Sequence, residues 1–483
     1  MSNASPPQLS SFIAGRFEPS AGPFHDDLNP SDRSDVIARV PAGVADDAAR
    51  AAGAAADAHE SWRDRTGPQR AEALSRWADA IFARRDELAA TMSREVGKPI
   101  TEARGEVARC SAILRYFAGE AVRPSGDVIP AQSPGALQYT LREPLGVVAL
   151  VTPWNFPLAI PLWKAAPALA FGNTVVLKPA EASSKVASLL AETAAAAELP
   201  AGVFNVLLGS GSVVGKALLQ NEAVRAVSFT GSGAVGSGVA AVAAARNIRF
   251  QTEMGGKNVV IVAEDADLDL AASLTAAGAM RYAGQKCTAT SRAVVARKVE
   301  EKFLAKLYEK IQALPLGPVD DPAAAVGPLI NEEARAAVLA ALAREDRGKV
   351  RGGSLPDDAR LRHGFYCAPA VVLHPDPESP VAREELFGPV LAAFSADGLE
   401  EAIEIANRTS YGLSASIFTR DLKSAFAFVR KIQAGLVRVN GDTTGVDPHA
   451  PFGGMKGSSS GTREQGPSAR EFYTEIKTVQ IQP

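Results

Sequence analysis

Between Gly146 and Glu253 short apolar runs alternate with helix-like stretches, and no other feature of this 483-residue chain restricts its fold as tightly. Residues 147–151, 174–177, 204–206, 226–229 and 248–251 each have the length and apolar content of a buried strand. Ala-rich segments of helical length separate them. Parallel strands need crossover connections of roughly a dozen residues or more, so this spacing predicts a parallel sheet wound with helices. A second alternation opens after Gly255 with 258–262 and 293–296 and runs to about Asn440, which predicts a second α/β unit.

The flanks have a different texture. From about Val44 to Ala121 apolar residues recur at helical spacing, as in Leu74, Trp77, Ala78 and Ile81, and predict helices. Residues 123–143 break that pattern with Pro124, Pro130 and Pro134 before the strand-like 137–141, an excursion between domains. A Gly/Ser-rich loop, 451–466, precedes an alternating terminal strand over 472–481. A chain of this length divides into two or three domains. With 46% hydrophobic and 22% charged residues and a net charge of −3, it reads as a globular protein with no preference for nucleic acid. Apolar runs such as 147–153 are far too short to span a bilayer, and the first twenty residues lack the pattern of a secretory signal, so the expectation is a cytoplasmic protein that does not engage membranes.

Three cysteines, Cys110, Cys287 and Cys367, show no CxxC spacing, and the five histidines are scattered, so neither a disulfide framework nor a metal site is expected. Cys287 stands out because it follows a glycine turn in Gly284-Gln285-Lys286-Cys287-Thr288. A lone cysteine reads more readily as a small core hydrophobe. The balance changes with Glu253-Met254-Gly255-Gly256-Lys257, a carboxylate at a strand end 34 residues upstream. A thiolate nucleophile and a glutamate with a raised pKa form a serviceable pair for covalent catalysis and general-base work. The segment Gly231-Ser232-Gly233-Ala234-Val235-Gly236 matches a dinucleotide fingerprint literally and would make Glu253 the ribose-binding acid. The two glycines after Glu253 and its pairing with a cysteine loop suit catalysis better.

Taken together, Thr152-Pro153-Trp154-Asn155-Phe156-Pro157, Lys178-Pro179-Ala180-Glu181, Phe229-Thr230-Gly231-Ser232, the Glu253 and Cys287 motifs, Glu384-Glu385-Leu386-Phe387-Gly388-Pro389 and Pro451-Phe452-Gly453-Gly454 resemble the aldehyde dehydrogenase superfamily from about Ala14 to Thr478. The resemblance implies an α/β fold with a Rossmann-type parallel-sheet cofactor domain (1–122 and 145–253), an α/β catalytic domain (254–452) and a small β oligomerisation arm (123–144 and 467–483). It implies attack of Cys287 on an aldehyde, an oxyanion held by Asn155 and the Cys287 N–H, and hydrolysis of the resulting thioester with Glu253 as base. The implied cofactor is NAD, with NADP possible: Lys178 and Glu181 on the adenosine ribose, Gly211 and Gly215 on the adenine side, Ser232 near the pyrophosphate, Glu385 on the nicotinamide ribose and Phe387 beside the nicotinamide. Thr152, Trp154, Phe229, Thr230, Gly231 and Val235 complete the expected cofactor contacts. A carboxylate at Glu181 would accept from a free 2′-hydroxyl and repel a 2′-phosphate, which favours NAD.

The tail, with Gly445-Val446-Asp447-Pro448-His449, Met455-Lys456-Gly457-Ser458-Ser459 and Arg463-Glu464-Gln465-Gly466, looks most like the bacterial α-ketoglutarate semialdehyde (2,5-dioxopentanoate) dehydrogenase group. Arg281, six residues before Cys287, matches a position where succinate semialdehyde dehydrogenases grip a distal carboxylate, although Trp163 stands where their second arginine belongs. Arg281, Trp163 and Phe156 are therefore the expected substrate contacts. Succinate or glutarate semialdehyde, and a broad range of aromatic or aliphatic aldehydes handled by an apolar tunnel of Trp163 and Phe156, are the other substrate readings. Glu253 argues against a thiol-acylating relative, and intact Cys287, Asn155 and Glu253 argue against a non-catalytic protein reusing the fold. The arm implies a homodimer or homotetramer.

Overall fold

The computed structural model describes residues 5–482. Its larger sheet has eight strands in the order Arg16–Glu18, Ser11–Ile13, Phe204–Val206, Thr174–Lys178, Val147–Val151, Val224–Thr230, Arg249–Glu253 and Ser459–Ser460. The five central strands, from Phe204–Val206 to Arg249–Glu253, run parallel, as the alternation of apolar runs requires. Val147–Val151 pairs with Thr174–Lys178 on one side and Val224–Thr230 on the other, so the winding direction reverses there. In open α/β sheets the crevice beyond the carboxyl ends of strands at such a reversal is where ligands bind.

The second sheet has seven strands in the order Val350–Gly352, Ala370–Leu373, Val390–Ala396, Thr290–Ala296, Asn258–Val262, Ser414–Phe418 and Leu436–Val439, all parallel except the first. A third, three-stranded sheet joins Thr474–Ile481 to Leu137–Pro144 and Val128–Ile129. The terminal strand begins two residues later than the alternation suggests. Phe472 and Tyr473 instead close the short helix Ser468–Tyr473, both buried, with their rings in edge contact at 4.7 Å. Among the described residues no helix is long and apolar enough to cross a membrane.

Four helices, Ala45–Arg63, Gly67–Ala83, Arg85–Val96 and Ile100–Glu120, pack against the first sheet and its crossover helices. Thr66 starts the second with a reciprocal cap, accepting from Gln69 N while Gln69 accepts from Thr66 N. The apolar positions of this helix point inward as their spacing requires. Trp77 is fully buried, its ring edge-on to Phe204 at 4.9 Å and its indole N–H donating to Thr193 Oγ1 at 3.0 Å.

The helix Ile100–Glu120 is anchored by a buried carboxylate. Nearly two turns into it, Glu106 Oε1 accepts from the backbone N–H groups of Leu158 and Ala159, both at 3.0 Å, and so caps the helix Ala159–Ala170. Glu106 is buried and its charge is met by Lys98, which is also buried. One carboxylate thus fixes two helices relative to each other.

Replacing Trp77 with alanine removes a large ring and one of the two hydrogen bonds of the Thr193 hydroxyl, which keeps its bond to Leu190 O. The variant should lose about 3–5 kcal/mol in stability, read from urea unfolding; an unchanged unfolding midpoint would show that this core is less tightly built than its geometry says.

Candidate active site

Four strands of the first sheet deliver polar residues to its carboxyl edge: Thr152 after Val147–Val151, Lys178 at the end of Thr174–Lys178, Thr230 and Glu253 at the ends of the next two. Each is buried. Among the described residues the oxygens Thr152 Oγ1, Thr230 Oγ1, Asn155 Oδ1 and Glu253 Oε1 have no partner. Buried polar atoms are rarely left so, and a cluster of them at a sheet edge marks a place meant for something else.

Cys287 reaches this edge from the second unit on a strained loop. Tyr282, Ala283 and Gly284 hold φ of 56°, 51° and 67°, and only at Gly284 is that conformation free of side-chain cost. A Cβ at Gly284 would also collide with the Gly388 carbonyl. The buried Gln285 side chain holds the loop: Nε2 donates to Pro328 O at 3.0 Å and Oε1 accepts from Ile330 N at 2.9 Å. Asn155 Nδ2 donates to Gln285 O at 3.0 Å, which ties the first unit to the cysteine loop and leaves the second N–H of that amide uncommitted. Asn258 Nδ2 donates to the carbonyls of Cys287 and Ala289, both at 2.8 Å.

Two cavities meet at Cys287. One, of about 250 Å³, is lined by Phe156, Trp163 and Phe452 together with a polar side that includes Glu102, Glu106, Arg109 and Lys286. The other, of about 300 Å³, opens along the sheet edge past Trp154, Asn155, Thr230, Gly231, Ser232, Glu385 and Phe387. Cys287 belongs to both walls. Trp154 and Phe387 stand edge to face at 5.7 Å. Glu385 accepts from Gly256 N at 2.9 Å; burial pushes its carboxyl up to about 7, with that N–H and Lys257 opposing the rise. A Cβ at Gly255 would displace the Glu385 carboxylate, and one at Gly256 would meet the Cys287 carbonyl.

The remaining residues named from sequence sit further along the same edge. Lys178 donates to Pro179 O at 2.6 Å, and burial lowers it to about 8, partly offset by Glu181. Glu181 is partly exposed with His25 Nε2 at 3.6 Å. Gly211–Gly215 forms one helical turn whose last residue lies against the Lys178 stem. Phe229 is buried behind Gly231, and Val235 is 56% exposed on the first turn of the helix Gly233–Ala245.

Two placements differ from the simplest picture. Glu253 is 2% exposed and borders neither cavity; its Oε2 accepts from Ser459 Oγ at 2.5 Å. Burial and then the charge of Glu464 raise its pKa well above the usual carboxylate range, against the pull of Ser459, Lys164 and Arg463. Arg281 is exposed and does not line the cavity beside Cys287, although its charge reaches Glu102. Sequence reasoning missed the contribution of the helix Ile100–Glu120, whose residues 102, 105, 106 and 109 share one face by their spacing and all border the cavity. It also missed the buried Lys164–Glu464 pair, whose partners lie 300 residues apart with no local signal.

Burial, then the charges of Glu385 and Glu253, push the Cys287 thiol up to about 12, so the free protein carries it protonated. Alkylation of Cys287 by iodoacetamide, followed by peptide mass mapping, should therefore speed up ~10-fold per pH unit from pH 8 to 10 without levelling. A plateau by pH 8 would mean a preformed thiolate.

Comparison with known proteins bears on this arrangement. Residues 17–479 match the family model described as the aldehyde dehydrogenase family. The chain is 45% identical over 461 residues to an alpha-ketoglutaric semialdehyde dehydrogenase of Bacillus subtilis (strain 168), covering 94% of each. Its structure superposes on the crystal structure of a putative aldehyde dehydrogenase from Burkholderia cenocepacia with a TM-score of 0.95 at 37% identity, covering 98% of this chain and 97% of that one. It superposes on betaine aldehyde dehydrogenase from Staphylococcus aureus in complex with NAD+ with a TM-score of 0.94 at 32% identity, covering 98% and 94%.

Proposed function

The chain belongs to the aldehyde dehydrogenase family, and from that premise we propose that it oxidises α-ketoglutarate semialdehyde (2,5-dioxopentanoate) to 2-oxoglutarate with NAD, through a thioester on Cys287. The observation that carries the reading is the position of Cys287 as the common wall of two cavities. A sulfur there can hold a substrate from one side and present it to a cofactor on the other.

The cofactor-side cleft fits a dinucleotide. It offers a buried hydroxyl at Thr230 that is unpartnered among the described residues, a carboxylate at Glu385 for ribose hydroxyls, and Ser232 as the N-cap of the helix Gly233–Ala245, where backbone N–H groups and the helix dipole favour phosphate. NAD bound there supplies an acceptor for the hydride that leaves the aldehyde carbon. Trp154 and Phe387 would flank the ring, and Lys178 and Glu181 would take the adenosine ribose, the carboxylate at Glu181 disfavouring a 2′-phosphate.

The chain's own residues account for the rest. Cys287 loses its proton to solvent water and adds to the aldehyde carbon, placing a negative charge on the former carbonyl oxygen. The uncommitted N–H of Asn155 and the Cys287 backbone N–H stabilise that charge; donors of this kind are worth ~100-fold or more in rate. After hydride loss the thioester is attacked by water whose proton Glu253 accepts, burial having raised its proton affinity above that of an ordinary carboxylate. The sulfur leaves and the carboxylate product is released. The Glu253 side chain must swing from Ser459 toward the sulfur to reach that water.

The 45% identical relative bears the name of this activity, and the cavity beside Cys287 joins an apolar wall to a charged rim, as a short chain with an acid at its far end requires. The three-stranded sheet leaves Val128, Leu137, Ile476 and Ile481 exposed, and we propose that this arm pairs with another copy of the chain.

Initial rates of NADH and NADPH formation with 2,5-dioxopentanoate, succinate semialdehyde and benzaldehyde test the proposal. The expected order puts 2,5-dioxopentanoate with NAD first and finds no turnover in Cys287→Ala. Equal or faster oxidation of benzaldehyde would overturn the substrate, and retained turnover in Cys287→Ala would overturn the chemistry.

A further inference from the structure

The cavity between Cys287 and solvent has four charged groups on its wall: Glu102, Glu106, Arg109 and Lys286. Three of them are spoken for. Lys286 Nζ pairs with Glu102 at 2.7 Å. Glu106 is neutralised by Lys98 and spends its other oxygen on two backbone N–H groups. That leaves the Arg109 guanidinium, half-buried at the cavity wall, with no carboxylate paired to it among the described residues. The net charge presented to a substrate is therefore positive and comes from one residue.

Its position is not incidental to the helix. Arg109 follows Glu102 and Glu106 by seven and three residues on Ile100–Glu120, so it shares their cavity-facing stripe. The helix is held in place by the Glu106 cap on Ala159–Ala170, which carries Trp163 into the same cavity. The guanidinium is thus mounted on a rigid element at a cavity that Phe156, Trp163 and Phe452 also line. Arg281, the other arginine near the cysteine loop, is exposed and lies outside the lining.

We propose that Arg109 is the specificity-determining residue for acidic aldehydes, pairing with the substrate carboxylate distal to the carbon that Cys287 attacks. This role rests on the proposed semialdehyde activity and assigns its recognition to a residue on the helix rather than on the cysteine loop. Guanidinium suits the task because its planar fork matches a carboxylate with two parallel charge-assisted hydrogen bonds. In a partly desolvated cavity such a pair separates an acid from an equally long neutral chain.

The test compares kcat/KM for 2,5-dioxopentanoate with that for pentanal, an uncharged aldehyde of the same length, in wild type, Arg109→Leu, Arg109→Lys and Arg281→Leu. The wild type should prefer the acid. In Arg109→Leu the ratio of the two kcat/KM values should fall ~10- to 100-fold, mostly through KM for the acid, and Arg109→Lys should recover part of it, while Arg281→Leu leaves the ratio near that of wild type. If Arg109→Leu lowers both substrates alike, or if the ratio collapses only in Arg281→Leu, Arg109 is not the recognition residue and the semialdehyde reading still stands. If the wild type shows no preference for the acid, the reading itself fails and takes the role of Arg109 with it.

Discussion

The cysteine loop is held in a shape that its own sequence resists, and the site depends on that constraint. Tyr282 and Ala283 occupy left-handed backbone at a cost of about 1–2 kcal/mol each. Gln285 offsets the cost by bonding its side-chain amide to Pro328 O and Ile330 N, and the Tyr282 hydroxyl donates to Val96 O at 3.2 Å. Asn155 closes the arrangement from the other unit. A relaxed loop would move Cys287 out of the wall between the two cavities, and neither cavity would then have a nucleophile.

Buried charge sets the remaining geometry. Lys98 with Glu106 and Lys164 with Glu464 are both nearly or fully buried, and such pairs add little net stability because desolvation consumes most of the attraction. Their value lies in position. The first pair orients the helix that presents Arg109 and caps the helix that presents Trp163. The second stands behind Glu253, where the Glu464 charge raises and Lys164 lowers its proton affinity. Proton affinity at the proposed base is therefore adjusted by residues that the substrate need not touch.

Much of this was legible in the sequence, for identifiable reasons. The strands 147–151, 204–206 and 258–262 could be read to the residue because apolar residues dominate them, as in buried parallel strands. Cys287, Asn155, Glu385 and Phe387 could be read because short motifs carry them and the fold brings those motifs to one edge. Arg109 was not, since a charged residue at helical spacing looks like any solvated helix face until the partner surface is known. Arg281 shows the converse: its offset from Cys287 suggested a substrate contact, but the left-handed turn at Tyr282 and Ala283 intervenes and the side chain ends up exposed. The rotation of Glu253 toward Ser459 had no local sign either, because its partner lies 206 residues away.

The proposed chemistry turns on a covalent bond to one sulfur, and mass spectrometry can see it. The Glu253→Gln variant, mixed with NAD and 2,5-dioxopentanoate and quenched in acid within its first turnover, should carry the acyl group of 2-oxoglutarate on the peptide containing Cys287, with one NADH formed per site. NADH formation without any adduct on Cys287, or an adduct on another residue, would contradict it.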